Sequence, residues 1–499
     1  MKKELTDFRG KKISFDITEN KKSFKEILKN NQLTRYRDFV LKNQQKTRCN
    51  LIFLDGMVNS QIINDSVIRP LLDYNLYFDE KIDSKYIAEN VLYACEIIET
   101  SDVEQILNSL IYGDTILFID KSEKCLVIDT KGWDVRSISE PEDERVLQGP
   151  REGFCESVIL NLSLLNRKFP TPDFSAEMVT VGKKTATKIF ICYIDSVVNK
   201  NTVKTIKKCI SEIEIDGILD SNYINELINK HKFSLFKTVG STERPDIVAA
   251  KLLEGRVAIL VDGTPVVLTA PYLFVENLQS DDDYYQNYLV GSFGRILRFV
   301  CFYLSIMLPA LFVALTVFNP QLLPLSFFST VSVSRAGIPF STFAESIVLI
   351  IIFEILKETG VRMHESVGHA LSIVGGLVIG QAAVEAKIVS APILIITALS
   401  GIASLMIPRL KGAVIYFKLL LLILSSLLGL FGFFTGFVLM HIHIYSLDTF
   451  GVSYTSIGSL HPENSLKDSL IRARWTKMIK RPNVLTLNLI RQKRNKRDD

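Results

Sequence analysis

The chain has 499 residues, more than one ordinary globular domain uses and enough for two or three. A formal net charge of +4 excludes both a strongly basic nucleic-acid binder and an acidic disordered chain. The average hides a sharp change near residue 290: Leu289 to Tyr445 holds only 14 charged residues in 157, whereas the preceding part mixes apolar runs with frequent Lys, Asp and Glu.

Residues 1–45 are Lys- and Asn-rich with weak periodicity and read as a mobile N-terminal arm carrying one short helix. Residues 46–148 read as an α/β unit. CNLIFLD (49–55) suits a buried strand and is followed by an apolar helical stretch to Leu72; a second helix, DVEQILNSLI, ends at Gly113; DTILFID and CLVIDT then form a β-hairpin. Residues 149–175 open with a turn, Gly149 to Gly153, and continue with apolar residues at helical spacing from Phe154 to Asn166, which predicts a rigid linker helix. Residues 176–288 repeat the first unit. Asp55, Val58 and Asn59 fall over Asp195, Val198 and Asn199 at an offset of 140, and Gly113 and Asp120 over Gly255 and Asp262 at 142. Two tandem α/β units are therefore expected, with Ile116, Phe118, Val257 and Ile259 in their cores. Arg151 and Glu152 in the linker, and Arg244 and Asp246 before the second hairpin, are candidate assembly contacts, because a charged pair inside a turn holds geometry more readily than it reacts.

The seven cysteines are scattered and never spaced C-x-x-C, which argues against a disulfide framework or a zinc knuckle and for reduced thiols. The opening MKKELTDFRGKKISFDITEN has no apolar run of signal-peptide length, so the polar half is expected in the cytosol. Asp281, Asp282 and Asp283, just ahead of the first apolar run, form a candidate vestibule for cations.

Residues 289–445 read as a membrane domain. Hydropathy gives spans near Ile296–Phe318, Ser366–Ala386, Ile388–Ile407 and Val414–Met440, each close to the ~20 residues a bilayer core requires. The run 343–361 carries Glu345, Glu354, Lys357 and Glu358, and a charge at bilayer depth costs on the order of 2.5–3.5 kcal/mol. It reads as a short amphipathic or re-entrant helix with a polar face, and Glu345, Glu354, Glu358, Ile350 and Phe353 are the candidate pore-lining residues. In GGLVIGQAAVEA, Gly376 and Gly380 make a close-packing face, and Gln381 with Glu385 one turn later is a candidate polar membrane site. Residues 446–499 read as a basic cytosolic tail, since 466–499 holds eleven Lys or Arg against three Asp. Both ends then lie inside and the number of crossings is even: four full spans plus the short 343–361 element, or six crossings if the long run to Tyr445 hides a sixth.

Enzyme chemistry finds no support. His364 and His369 sit in H-E-x-x-x-H, five residues apart, so on a helix at ~100° per residue their rings diverge by about 140° and share no metal. EGRVAILVDGTP lacks both the Walker lysine and the dinucleotide glycine pattern. No catalytic residue, cofactor or metal is expected.

The strings GPREGF (149–154), DGIL (216–219), TERPD (242–246), EGRVAILVDGTP (254–265), S-x-x-DYY (280–285), GGLVIGQAAVEA (375–386) and FGV-Y (450–454) closely resemble the A subunits of the GerA family of spore germinant receptors, over about residues 48–482. The resemblance implies a receptor in the inner membrane of a bacterial endospore. Its partners would be a transporter-like B subunit that binds the nutrient, a lipoprotein C subunit, membrane lipid and further copies of itself, with a pentameric ring expected and no nucleic acid. It further implies a nutrient-gated cation channel that triggers germination. The chain departs from the family pattern at Ala336, where Glu is more usual, and at His364, where Pro is common, so no pore charge is carried over to position 336. The residues themselves leave open a secondary transporter, suggested by the Gly-interrupted third span, or a non-conducting signalling scaffold.

Overall fold

The computed structural model describes residues 8–42, 46–73, 84–94, 96–132, 141, 144, 148–362, 378, 380–455, 468–469, 471–482, 485–486, 488 and 490–491. Two five-stranded antiparallel sheets occupy the first 270 residues. The first contains β1 (Thr34–Val40), β2 (Arg48–Leu54), β3 (Ile97–Thr100), β4 (Thr115–Ile119) and β5 (Cys125–Ile128), in the order β1-β2-β4-β5-β3. The second contains β6 (Phe174–Val181), β7 (Thr187–Ile194), β8 (Gly240–Thr242), β9 (Val257–Val261) and β10 (Val267–Ala270), in the order β6-β7-β9-β10-β8. The two orders are the same.

The correspondence reaches single hydrogen bonds. Asp55 N–H donates to Leu33 C=O at 2.9 Å, and Asp195 N–H to Asp173 C=O at 2.9 Å. Asp120 N–H donates to Arg48 C=O at 2.9 Å, and Asp262 N–H to Lys188 C=O at 3.0 Å. Asn59 and Asn199 each cap the helix that follows. Gly113 and Gly255, at φ +101° and +95°, each follow the helix that leads into the central hairpin, in the left-handed conformation that a C-terminal glycine allows.

Both faces of each sheet are covered, which is why VAILV (257–261) is apolar throughout. Val257, Ile259 and Val261 pack on the helices Lys200–Ser211 and Ser221–Ile228, while Ala258 and Leu260 face the helices Val158–Lys168 and Pro245–Leu253. Ile116, Phe118, Val257 and Ile259 are all buried.

Two boundaries differ from the sequence reading. Described residues 8–42 are not a free arm: the helix Ile17–Ile27 buries Ile17 and Phe24 against the first sheet, and β1 pairs with β2 along its full length. The 149–175 stretch is not a spacer. Its helix Val158–Lys168 buries Leu162 and Leu165 in the second unit, as Ile17–Ile27 does in the first. Each unit therefore opens with a helix, and a polar face hid the packing of Ile17–Ile27 because only Ile17, Phe24 and Ile27 of its eleven residues are apolar.

Between residues 288 and 446 the described residues are mainly helical. The helix Tyr288–Val313, prolonged to Phe318, and the segment Pro408–Ser446 are long and apolar enough to cross a membrane. The second of these is not one rod. At Gly429 the backbone takes φ 62° and ψ −138°, and a Cβ at Gly436 would lie 3.3 Å from Leu421, so residues 411–428 and 430–446 run antiparallel as a hairpin. The reversal sits against Phe318, at the end of the first helix farthest from the sheets.

Contacts fix the direction of the other helices. Thr342–Arg362 starts at this distal end, where Glu345 meets Ser390, and finishes proximally, where Glu358 pairs with Lys411 at 2.7 Å. Ala391–Leu405 runs the same way. The reading of 343–361 as a short or re-entrant element is thus replaced by a full-length helix of 21 residues, and that of Val414–Met440 as one span by two arms.

The described residues beyond 446 are packed on the rest of the chain and do not form a solvated basic tail. Two-residue strands β11 (Asp448–Thr449) and β12 (Val452–Ser453) form a hairpin that seats Tyr454 in a core shared by Phe236, Tyr272 and Phe274 of the second unit and Phe302, Phe417 and Met440 of the helices. Farther on, Arg472 is buried, Arg481 donates to Leu253 C=O at 2.6 Å, and Thr486 O–H donates to Val197 C=O. Arg472 and Arg481 thus serve backbone carbonyls, a use that net charge does not reveal.

Candidate functional site

The α/β part and the helices meet at a charged junction. Arg244, fully buried, holds Asp246 through Nε at 3.1 Å and Nη2 at 2.7 Å, and donates to the carbonyls of Glu144 and Pro150 at 3.3 and 3.0 Å. It thereby fastens the crossover between the units to the start of the helix Pro245–Leu253. Tyr285 O–H donates to the same Asp246 carboxylate and ties in the segment leading to the first long helix.

Arg409 reaches the junction from the helical side. It lies 3.4 Å from both Glu144 and Asp281 and donates to the carbonyls of Glu276 and Gln279 at 3.2 and 3.3 Å. Beside it, buried Glu276 accepts from Arg256 at 3.0 Å and from the Leu273 amide at 2.7 Å, with Lys251 at 3.3 Å. Burial alone would push the Glu276 carboxyl up; Arg256 and Lys251 outweigh it and hold the carboxyl below its ordinary range. Asp281 goes the other way, since burial raises it more than Arg409 lowers it. Burial also lowers Lys251. A cavity of about 180 Å³ lies among Asp246, Lys251, Arg256, Asp281, Tyr284 and Arg409.

A second node adjoins it. Asp283 is buried between Arg295, at 3.0 Å, and Arg298; Arg295 also holds Asp468 at 2.7 Å, and Arg472 donates to the carbonyls of Asp283 and Gln286 at 2.6 and 2.7 Å. Within one chain the acidic triplet is not an open acidic patch. Asp281 and Asp283 spend their charge on Arg409, Arg295 and Arg298, and Asp282 lies half-buried on the short helix Asp282–Tyr285.

Over residues 22–484 the chain matches the family described as Bacillus/Clostridium GerA spore germination protein. The chain belongs to the GerA family. It is 37% identical to the uncharacterized membrane protein YfkQ of Bacillus subtilis over 96% of this chain and 93% of that protein. It is 36% identical to spore germination protein KA of the same organism over 93% and 86%. The N-terminal domain of the A subunit of the Bacillus megaterium spore germinant receptor GerK3 is 31% identical, covering 53% of this chain and 98% of that one, with a TM-score of 0.43.

The strings by which the chain resembles the GerA family converge on the junction. TERPD supplies Arg244 and Asp246, EGRVAILVDGTP supplies Glu254 and Arg256, S-x-x-DYY supplies Asp283 of the adjoining node and both tyrosines, and FGV-Y supplies Tyr454, whose hydroxyl accepts from Asn277 at 3.1 Å. Of the expected assembly contacts, Arg244 and Asp246 act within the chain. Glu152 pairs with Lys168 and Arg167 of its own unit at 3.2 and 3.6 Å, and Arg151 is exposed. Sequence reasoning missed Arg409, Glu276 and Lys251. Arg409 had a usable signal, a charge that with Lys411 interrupts two apolar runs; Glu276 and Lys251 had none, because their partners are distant in the chain.

In this GerA-family chain the proposed pore residues scatter. Glu345 is buried and accepts from the Ser390 amide at 2.8 Å and its hydroxyl at 2.9 Å, with Arg335 at 3.4 Å, so within the chain it braces helix ends. Ile350 is buried against Val313 and Leu422, and the Phe353 ring lies against the backbone of Gly401, where a Cβ would approach it to 2.5 Å. Helical spacing alone did not say which side of the helix met its neighbours. Glu354 is half-buried, and Glu358 holds Lys411. Gln381 donates to Glu385 at 2.9 Å on an exposed face. His364, His369 and Gly376 lie outside the described residues. Among the described residues no group of His, Cys, Asp and Glu is arranged to hold a metal.

Proposed function

We propose that this chain is the A subunit of a nutrient-responsive spore germinant receptor, a multi-pass protein of the spore inner membrane with both termini cytosolic. In this reading it works with a germinant-binding B subunit and a lipoprotein C subunit, and copies of it, five to a ring, enclose a cation path whose opening starts germination. Membership of the GerA family across nearly the whole chain carries the reading. Each hairpin arm, at 1.5 Å per residue, spans roughly the thickness of a bilayer core, which supports two crossings there.

The outward face of the 342–362 helix supports a conduction path. Val348, Ile351 and Ile355 are 46, 51 and 59% exposed at helical spacing, with Glu354 and Glu358 beside them toward the proximal end. Closed into a ring, three apolar tiers of this kind exclude ions by dewetting. The junction at Arg409 then makes the α/β body and the helices move together, because separating them strands buried charges.

Receptor reconstituted in liposomes tests this. Germinant should release far more than one cation per protein cycle, and cysteines at Val348, Ile351 and Ile355 should react with a water-soluble thiol reagent on opening while one at Ile350 does not. No flux, with all four positions equally unreactive, would refute conduction by this helix and leave a transporter or scaffold.

A further inference from the structure

The loop Asn229–Thr238 of the second α/β unit has a composition its own domain does not explain. Phe233 is fully exposed, at 101%, and Leu235 is 48% exposed, in the string Lys230-His231-Lys232-Phe233-Ser234-Leu235-Phe236-Lys237. Leu227 and Tyr223, on the preceding helix, extend the exposed apolar surface. A lone exposed leucine needs no explanation, but an aromatic and a leucine at a loop tip between lysines make an amphipathic feature.

Its position is fixed at several points. Ser234 Oγ lies 3.1 Å from His443 Nε2, and the Phe236 ring packs against Phe417 and His443, at the proximal ends of the two hairpin arms. Lys230 and His231 hold Asp448 at 3.0 and 2.8 Å, and Thr449 O–H donates to Thr238 C=O at 2.7 Å. The loop is thus clamped beside the last turn of the hairpin, level with exposed Tyr445. At such a level a bilayer offers a boundary between hydrocarbon and headgroup, where aromatic rings and lysines partition together.

We infer that Asn229–Thr238 is a peripheral membrane anchor, in which Phe233 and Leu235 enter the headgroup–acyl boundary of an anionic bilayer and Lys232 faces its phosphates. The inference rests on the membrane placement proposed above. Continuity with the hairpin and charge complementarity favour lipid over a protein partner. The anchor holds the second unit at a fixed height, which the core around Phe236 would otherwise secure alone.

The test uses the full-length chain in nanodiscs of neutral or anionic lipid, with a polarity-sensitive fluorophore on single cysteines at Phe233, at exposed Glu214 and at outward-facing Phe434 of the hairpin. Position 233 should show a blue shift and quenching by lipids spin-labelled near the headgroup, stronger with anionic lipid and weakened by salt or by Lys232→Glu; position 214 should show neither. Quenching at 434 but not at 233 would overturn the anchor and leave the membrane reading intact. Absence at both would sink the two together. A blue shift at 233 that follows protein concentration and ignores lipid would assign the loop to a second copy of the chain and refute the proposal.

Discussion

The hairpin reversal at Gly429 decides how many times the helical part changes direction, and it makes a sharp prediction. Positions 421 and 436 are about 22 Å apart along an unbroken helix at 1.5 Å per residue. In the hairpin a Cβ at 436 lies 3.3 Å from the Leu421 side chain. A disulfide requires Cα atoms within roughly 7 Å. Leu421→Cys with Gly436→Cys, in a background whose native cysteines are replaced by alanine, should therefore cross-link within one chain on mild oxidation, read as a gel-mobility shift reversed by reductant. Adding Gly429→Ala should slow it. Alanine at φ 62°, ψ −138° carries strain of order 1–3 kcal/mol, and its Cβ would lie 2.8 Å from Phe318. Failure of the pair to cross-link, or cross-linking only between chains carrying one cysteine each, would refute the hairpin.

Two further outcomes are expected. Arg244→Ala leaves Asp246 and the Glu144 and Pro150 carbonyls without their buried donor, so it should cost about 3–5 kcal/mol and expose the 144–150 crossover to protease; a variant as resistant as the parent contradicts the clamp. Glu276 has a folded pKa below its ordinary value of 4.5, so its ion pairs stabilise the fold above that pH and the contribution is lost as pH falls through the lower, folded value. Glu276→Gln should flatten this acid-side fall in thermal stability, and an unchanged slope would show that the pairs add nothing.

Much of the α/β architecture was legible in the sequence because it depends on local pattern. Apolar runs bounded by polar turns marked β2, β4, β5, β7, β9 and β10, and offsets of 140 and 142 exposed the repeat, since equivalent turns need the same capping Asn and the same left-handed Gly. The docking of the short helix Ile17–Ile27, and the strand β1, escaped notice because their polar faces outweigh the few apolar residues they bury.

What the sequence alone determined is where apolar and polar residues alternate, and therefore most strands and helices, the change of composition near residue 290 and the family. Tertiary structure alone decided which charges meet. Asp281 and Asp283 read as a solvated acidic triplet until Arg409, Arg295 and Arg298 came beside them, and Glu345 read as a pore carboxylate until Ser390 and Arg335 enclosed it. Hydropathy saw one long run to Tyr445, but one glycine with a positive φ folds it in two. The physical reason is that hydrophobic burial acts on each residue separately and leaves a periodic trace along the chain, whereas a charge or a reversal takes its meaning from a partner tens or hundreds of residues away.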